Sequence, residues 1–559
     1  MNATMQPAKC FFHSLCFVPP DPLSSGIKIF GFSEFLASLA LLVVVFTVTD
    51  TRYKFRITIA PLPLYAITFA IIALTGIISL VSDVWSATKW WVLDSSFEIK
   101  IYIQAILGFC FLFCFMLWIY YAFLKPPVFS KRNQMKYINA LYKYIAKGVE
   151  QELAIISDEL GRSSKSLIKH AGRGDSVTTQ IANDILYLIG NRNFCKVLVA
   201  TSPRTATYFF VSTATFKNYD IPLHQFSANV SQEVIKNKNS IIYHEDDGYD
   251  SGLMGEIQEW SKSFYGNYRL IDSLQRGHLS PFQFNYKTFL GFDNEQWDAY
   301  FRLSIIYLEE KLKIENFIDT NPVLNSVLES IKHCTQNLHM VDKTDDEIMK
   351  SELVEKLHSS MNFIENLFNT TTKCKAKTIY QYSAKERRKY VFDIHHHVSS
   401  ALIELLFKAS LCQADNFTTW HIQNNIVWDG IFSPHEKSLG DFHRKAIKKT
   451  IRKLYEELKS IEKIANFKNT RIAGLILNVL GLDTGPCFAT RNDKRLALIK
   501  RLTQKIIKER FLTLLAQQPQ VAESMFPKCI SYDPERKCLV KTYAVGINKE
   551  APKHYLYLE

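Results

Sequence analysis

Charge is absent from two long stretches of this 559-residue chain, residues 57–82 and 101–124. Each exceeds the ~20 residues a helix needs to cross the ~30 Å hydrocarbon layer of a bilayer. Neither can be a half-buried surface helix, which must turn a polar face to water. A third apolar run, 29–49, is shorter and carries Glu34 near its start, but its centre, LASLALLVVVF, is as apolar as the other two. There is no cluster of positive charge ahead of it and no small-residue cleavage site before Asp50, which argues against a cleaved signal peptide.

The familiar catalytic signatures are also missing. The chain has no GxxxxGK[ST] phosphate loop, no GxGxxG, no GxSxG elbow, no HExxH and no kinase signature, and no repeat of fixed period. This excludes an ordinary P-loop ATPase, a nicotinamide enzyme and an elbow-type serine hydrolase. Eleven cysteines contain no CxxC pair and make no disulfide framework.

What is present predicts a membrane protein, mainly α, with three N-terminal transmembrane helices at about 29–49, 57–82 and 101–124. A large, mostly helical α+β cytoplasmic region follows. Arg52, Lys54 and Arg56 lie between the first two runs, and Lys125, Lys131, Arg132 and Lys136 follow the third. Basic residues favour the cytoplasmic side, so the N-terminal segment 1–28 is expected outside and residues 125–559 inside. The location is then a plasma membrane, or the inner membrane in a bacterium, crossed several times. Cys10 and Cys16 fall on the oxidising side, where they can pair.

The cytoplasmic part divides by pattern into three. Residues 125–171 read as a juxtamembrane stem helix, with Ile138, Leu141, Tyr142, Ile145, Val149, Leu153 and Ile156 at three- and four-residue steps. Residues 172–290 read as a mixed α+β domain, because 194–216 has strand composition around Pro203 and 239–243 (NSIIY) resembles a strand. Residues 291–559 read as a mainly helical domain with two strands at 537–547 and 554–558.

After residue 124 the chain holds 60 Lys/Arg against 48 Asp/Glu. That balance suits an anionic partner, and for a tethered domain the lipid bilayer with its anionic headgroups is the simplest one. Lys131, Arg132, Lys136, Lys143 and Lys147 are the candidate membrane-surface residues. Nucleic acid fits the basic helices at 443–463 and 491–517 less well than a solvated face packed on a protein partner or on a second copy of the chain.

Two clusters have the residue types of a divalent metal site. His244, Asp246 and Asp250 gather carboxylates and an imidazole, though Gly248 breaks the spacing of a calcium loop. Asp393 and His397 stand at i and i+4, where two ligands share one helix face, with His395 and His396 between them and His421, His435 and His443 downstream. The three consecutive histidines point about 100° apart and cannot all reach one ion. Two functional readings follow. One is a membrane-anchored regulatory or interaction protein (a sensor, scaffold or envelope-linked effector), and the other a membrane-tethered metal-dependent hydrolase. An oligomeric channel is a weaker third, resting on Glu34 as the one ionisable group of the spans.

Overall fold

The computed structural model describes residues 9–11, 15–18, 30–48, 50–88, 90, 92–93, 99–245, 259–276, 280–315, 317–318, 321–341, 351–378, 393–433, 440–483, 494–543 and 552–558. Helix dominates these residues, and the chain separates into two compact units. The first comprises residues 1–212 and 220–222, the second 213–219 and 223–559.

In the first unit, strands β1 (Lys9–Phe11), β2 (Leu15–Val18) and β3 (Val92–Leu93) form an antiparallel sheet. Its register sets Cys10 opposite Cys16 and Phe17 opposite Leu93. The helices are α1 (Phe32–Val48), α2 (Thr51–Thr58), α3 (Leu64–Ala87), α4 (Ile99–Ile119), α5 (Gln134–Lys147), α6 (Glu150–Gly161), α7 (Ser164–His170), α8 (Val177–Leu188), α9 (Arg192–Thr201) and α10 (Pro203–Phe216). A π-helical turn, Tyr120–Leu124, extends α4.

Two helical stretches among the described residues are long and apolar enough to cross a membrane, 64–85 and 101–124. The first apolar run forms a helix of 17 residues, shorter than the other two. The second starts at Leu64 rather than near residue 57. Pro61 and Pro63 deny helical geometry to the residues before them, so 51–58 becomes the separate helix α2. Polarity in α3 and α4 is turned inside out. Thr68, Thr75, Ser79 and Gln104 are buried, while Phe69, Leu74, Ile77, Ile106 and Phe109 are 60–76% exposed. Glu34 lies in the first turn of α1 and accepts the Gly31 N–H at 2.9 Å, the place and role of an acid at a helix N-terminus. Asp83 of α3 accepts the Phe32 N–H, also at 2.9 Å.

The stem helix expected over 125–171 is three helices. Gly148, at φ +70°, closes α5 with a left-handed cap, and α6 ends at Gly161. A glycine marks each break in the sequence. Residues 194–216 are helical despite their strand composition. Asn191 caps α9 by accepting the Phe194 N–H at 3.1 Å, and Pro203 begins α10, where its missing N–H costs nothing. The β-branched residues lose only a few tenths of a kcal/mol each in a helix, less than the burial of Phe194, Val197, Leu198 and Val199 returns. Residues 241–243 are a 3₁₀ turn, not a strand.

The second unit continues with α11 (His224–Lys236), α12 (Glu259–Phe264), α13 (Tyr268–Arg276), α14 (Tyr286–Leu290), α15 (Asn294–Glu315), α16 (Pro322–Cys334) and α17 (Glu352–Lys373). Next are α18 (Ile394–Ser410), α19 (Asn416–Trp420), α20 (Asp429–Phe432), α21 (Asp441–Ser460), α22 (Phe467–Leu480), α23 (Lys494–Gln517) and α24 (Pro519–Glu523). Between residues 172 and 290 the described residues form helices and no strand. Strand pair β4 (Phe317–Ile318) and β5 (Lys377–Thr378) is parallel, and β6 (Ile530–Asp533), β7 (Cys538–Thr542) and β8 (Lys553–Tyr557) form an antiparallel sheet. The two strands expected near the C-terminus are β7 and β8.

Aromatic packing holds α14, α15 and α17 together. Trp297 stacks on Phe289 at 5.2 Å and on Phe301 at 5.5 Å, and Phe301 stacks on Phe363 at 4.8 Å. Helix α18 is enclosed by α16, α21 and α22 and buries Val398, Leu402, Leu405 and Leu406 completely. This leaves little room for polar groups on α18 except at its N-terminal end.

Candidate functional site

That end holds the densest polar cluster of the second unit. Asp393 is the N-cap of α18 and accepts the backbone N–H of His395 at 2.9 Å. The same oxygen lies 2.9 Å from His395 Nδ1, and the other carboxylate oxygen accepts from Lys449 Nζ of α21 at 2.8 Å. Burial alone would push the Asp393 carboxyl up, but His395 and Lys449 outweigh it and hold it well below the usual range. Asp393 therefore carries a full charge that is already spent on a cap and an ion pair.

The three histidines diverge. His395 is buried against Phe442, with ring centres 4.8 Å apart. His396 turns to α21, where Lys453 Nζ lies 3.1 Å from its Nε2 and 3.2 Å from its carbonyl oxygen. Burial and the neighbouring Lys453 and Lys449 push His396 down to about 4, so its ring is neutral and accepts from the lysine. The His397 ring goes to neither group, and its buried Nε2 has no hydrogen-bond partner. His421 pairs with Asn425 at 3.0 Å, and His443 stacks on Phe368 of α17 at 3.9 Å. His435 lies outside the described residues.

Among the described residues, no three His, Cys, Asp or Glu side chains converge as a metal set. Asp393, His395 and His397 form no such set: Asp393 is engaged by the His395 ring and Lys449, and the His397 ring turns away from both. Asp246 and Asp250 lie outside the described residues. His244 is exposed and lines a cavity of about 870 Å³ with Tyr243, Asp298, Arg302 and Asn362. Its neighbour Glu245 accepts the Ser261 N–H at 2.9 Å beside α12, and burial pushes its carboxyl up.

The candidate membrane-surface residues split. Lys131, Arg132 and Lys143 are exposed, and Lys147 pairs with Glu152 at 2.5 Å. Lys136 instead donates to the Ala60 and Pro61 carbonyls, at 3.0 and 3.4 Å, just beyond the end of α2.

Sequence reasoning missed three lysines of the second unit and one ion pair of the first. The basic stretch 443–463 predicts a solvated face for Lys453. That lysine is half-buried because Phe442, Ala446, Lys449 and Lys453 fall at helical spacing on the side of α21 that meets α18. Lys500 and Lys541 are 4% and 2% exposed. The first donates to Asp483 at 3.1 Å, and the second donates to the Asn478 carbonyl and lies 4.3 Å from the centre of the Tyr543 ring. Burial lowers Lys541 to about 8. In the first unit, Arg56 of α2 forks onto Glu159 of α6 at 2.8 and 2.5 Å and donates to the Ala122 carbonyl at 2.7 Å. Both side chains are buried, and a hydropathy profile, which sees only a charged loop, gives no sign of the partner.

His443 allows a direct test of this packing. Its Nε2 is buried without a partner, and burial lowers the ring to about 4. A folded pKa below the unfolded value of about 6.5 gives stability that is present above pH 6.5 and lost as the pH falls toward 4. The expected loss at pH 5 is about 2 kcal/mol. His443→Phe should remove that loss: unfolding midpoints should match wild type at pH 8 and exceed it at pH 5. Parallel acid curves for the two proteins would show that the ring is not held neutral.

No protein-family model, no curated protein and no solved structure significantly matches this chain.

Proposed function

We propose that the chain is a membrane-anchored interaction protein whose first unit carries the anchor and whose second unit is a large helical platform on the cytoplasmic side. The observation that carries the reading is the joint around Arg56. It ties the loop before α3 (through Arg56), the end of α4 (through Ala122) and helix α6 (through Glu159) into one buried knot. Asn133 adds a bond to the Ile59 carbonyl at 2.8 Å, and Lys136 bonds to Ala60. A loose anchor needs no such knot, which holds α6 of the same unit against the cytoplasmic ends of the apolar helices.

The inverted polarity of α3 and α4 supports lipid as their surroundings, since apolar side chains face outward and polar ones face between helices. With α3 and α4 as crossings, the sheet is compatible with a third. It pairs residues 15–18 with 92–93, while residues 50–60 and 122–136 meet at the opposite ends of α3 and α4. In this reading the chain from 18 to 50 crosses as well, with α1 as its apolar segment. The basic loops put the Arg56 end inside. Lys131, Arg132 and Lys143 would there face anionic headgroups, and the platform would meet a protein partner or a second copy. The metal-hydrolase alternative has no converging ligand set among the described residues to support it.

Topology is tested by cysteine accessibility in intact cells, in a Cys10→Ser/Cys16→Ser background. Ala3→Cys should react with an impermeant maleimide, and Lys143→Cys should react only after the membrane is opened. The native Cys529 is a poor reporter because it is buried. Labelling of Lys143→Cys in sealed cells would reverse the orientation, and labelling of both positions would remove the membrane reading.

A further inference from the structure

Beside the α18–α21 contact lies a cavity of about 310 Å³, lined by Ser400, Ile403, Lys453, Glu456, Glu457, Ser460 and Lys468. Lys453 is held at its edge by Ser400 Oγ at 2.5 Å together with the His396 ring nitrogen and carbonyl. All three are neutral acceptors, and among the described residues no carboxylate lies within ion-pair distance of the Lys453 ammonium. The nearby cations are already paired, Lys449 with Asp393 at 2.8 Å and Lys468 with Glu404 at 3.2 Å. Glu456 is paired with Arg452 at 2.9 Å. Glu457, half-buried on the next position, also lines the cavity.

We infer that this cavity is a carbonyl-capture site, in which the Lys453 amine forms an imine with a small aldehyde or 2-oxo acid. The geometry supplies what the chemistry needs: a fixed amine without a counter-ion, a space of small-molecule size and a carboxylate in the same cavity. Burial and the charge of Lys449 bring Lys453 down to about 8, so roughly a tenth of it is unprotonated at pH 7, far more than of an ordinary lysine. The nitrogen lone pair attacks the carbonyl carbon, forming a C–N bond, and the carbonyl oxygen takes a proton. Loss of water then breaks the C–O bond and leaves the protonated imine. Solvent carries the proton between the nitrogen and the departing oxygen, the Glu457 carboxylate of the same cavity favouring the protonated imine by its charge, and no oxidant or reductant takes part. A ligand carboxylate would lie toward Lys468, whereas an uncharged aldehyde needs only Lys453.

The test uses the full-length protein in detergent, incubated with sodium cyanoborohydride and either pyruvate or glycolaldehyde, then digested and mapped by mass spectrometry. Lys505 and Lys508 of α23 serve as internal background. Lys453 should carry the reduced adduct at least tenfold above them, with half-maximal labelling near pH 8 rather than near 10. A preference for pyruvate would identify an oxo acid, and equal labelling a simple aldehyde. Lys453→Arg should abolish the adduct while leaving the circular dichroism spectrum unchanged. Labelling of Lys453 at or below the level of Lys505 and Lys508, in wild-type protein that needs no variant to fold, overturns the inference.

Discussion

Glu159→Ala is expected to destabilise the first unit by about 3–5 kcal/mol, because it strands a buried guanidinium. Arg56 and Glu159 are 5% and 4% exposed, and the carboxylate takes two of the guanidinium N–H groups. Arginine is protonated at any working pH, so Arg56 cannot escape the loss by releasing a proton. Arg52 and Arg162 also lie 3.7 Å from the same carboxylate, and without it three like charges face one another. An exposed pair would lose less than about 1 kcal/mol. Replacing both partners, as Arg56→Met with Glu159→Leu, should recover most of the stability, since a buried pair often gains little over apolar side chains of similar size. Thermal unfolding in detergent, with proteolysis between α4 and α6 as a local readout, measures both. If Glu159→Ala unfolds within about 1 kcal/mol of wild type, the joint is not a rigid one.

The other large effect belongs to Gly474 in α22. A Cβ there would lie 2.0 Å from the Met525 carbonyl oxygen and 2.9 Å from its carbon. Those atoms are backbone and cannot rotate aside, so even alanine must push α22 away from the chain that leads into β6. The expected cost of Gly474→Ala is about 3 kcal/mol, the upper range for overpacking. It should also loosen the Cys529 contact with Asn478, which is 3.2 Å long and lies on the same two segments. Gly291 is the control: a Cβ there meets nothing closer than 3.6 Å, and Gly291→Ala should stay within about 0.5 kcal/mol. Denaturant midpoints of the two variants decide the matter, and equal midpoints would show that α22 is not held against 525–526. Faster alkylation of Cys529 in Gly474→Ala would place the loosening at this contact.

Several features were legible because they depend on neighbours in sequence. The apolar stretches at 64–85 and 101–124, the helical stripes of the C-terminal region and the strands near the C-terminus follow from local composition and spacing. Asp393 before Ile394 is likewise a local signal, and its capping role follows from its position. Errors came where local signals disagreed. In 51–63 the prolines overruled a continuous apolar profile, in 134–161 two glycines cut one stripe into separate helices, and in 194–216 burial overruled β propensity.

The candidate site was legible only in part, for a different reason. Asp393 and the histidines were visible as residue types that bind metals, yet nothing in the sequence says where Lys449, Lys453 and Phe442 will stand, some 50 residues on. Helix packing put two lysines where ligands would have had to converge, and so turned a possible metal cluster into an ion pair beside a lysine cavity.

By itself the sequence determined that the chain is mainly helical and that two of its segments are long and apolar enough to suit lipid. Hydrophobicity and helical period are summed over adjacent residues, and they require no knowledge of what packs against them. Only the tertiary structure decided which charges are buried and with whom: Arg56 with Glu159 across 103 residues, Lys449 with Asp393 across 56, and Lys541 on the Asn478 carbonyl across 63. A buried charge is tolerable only beside its partner, and that partner is chosen by how the helices pack.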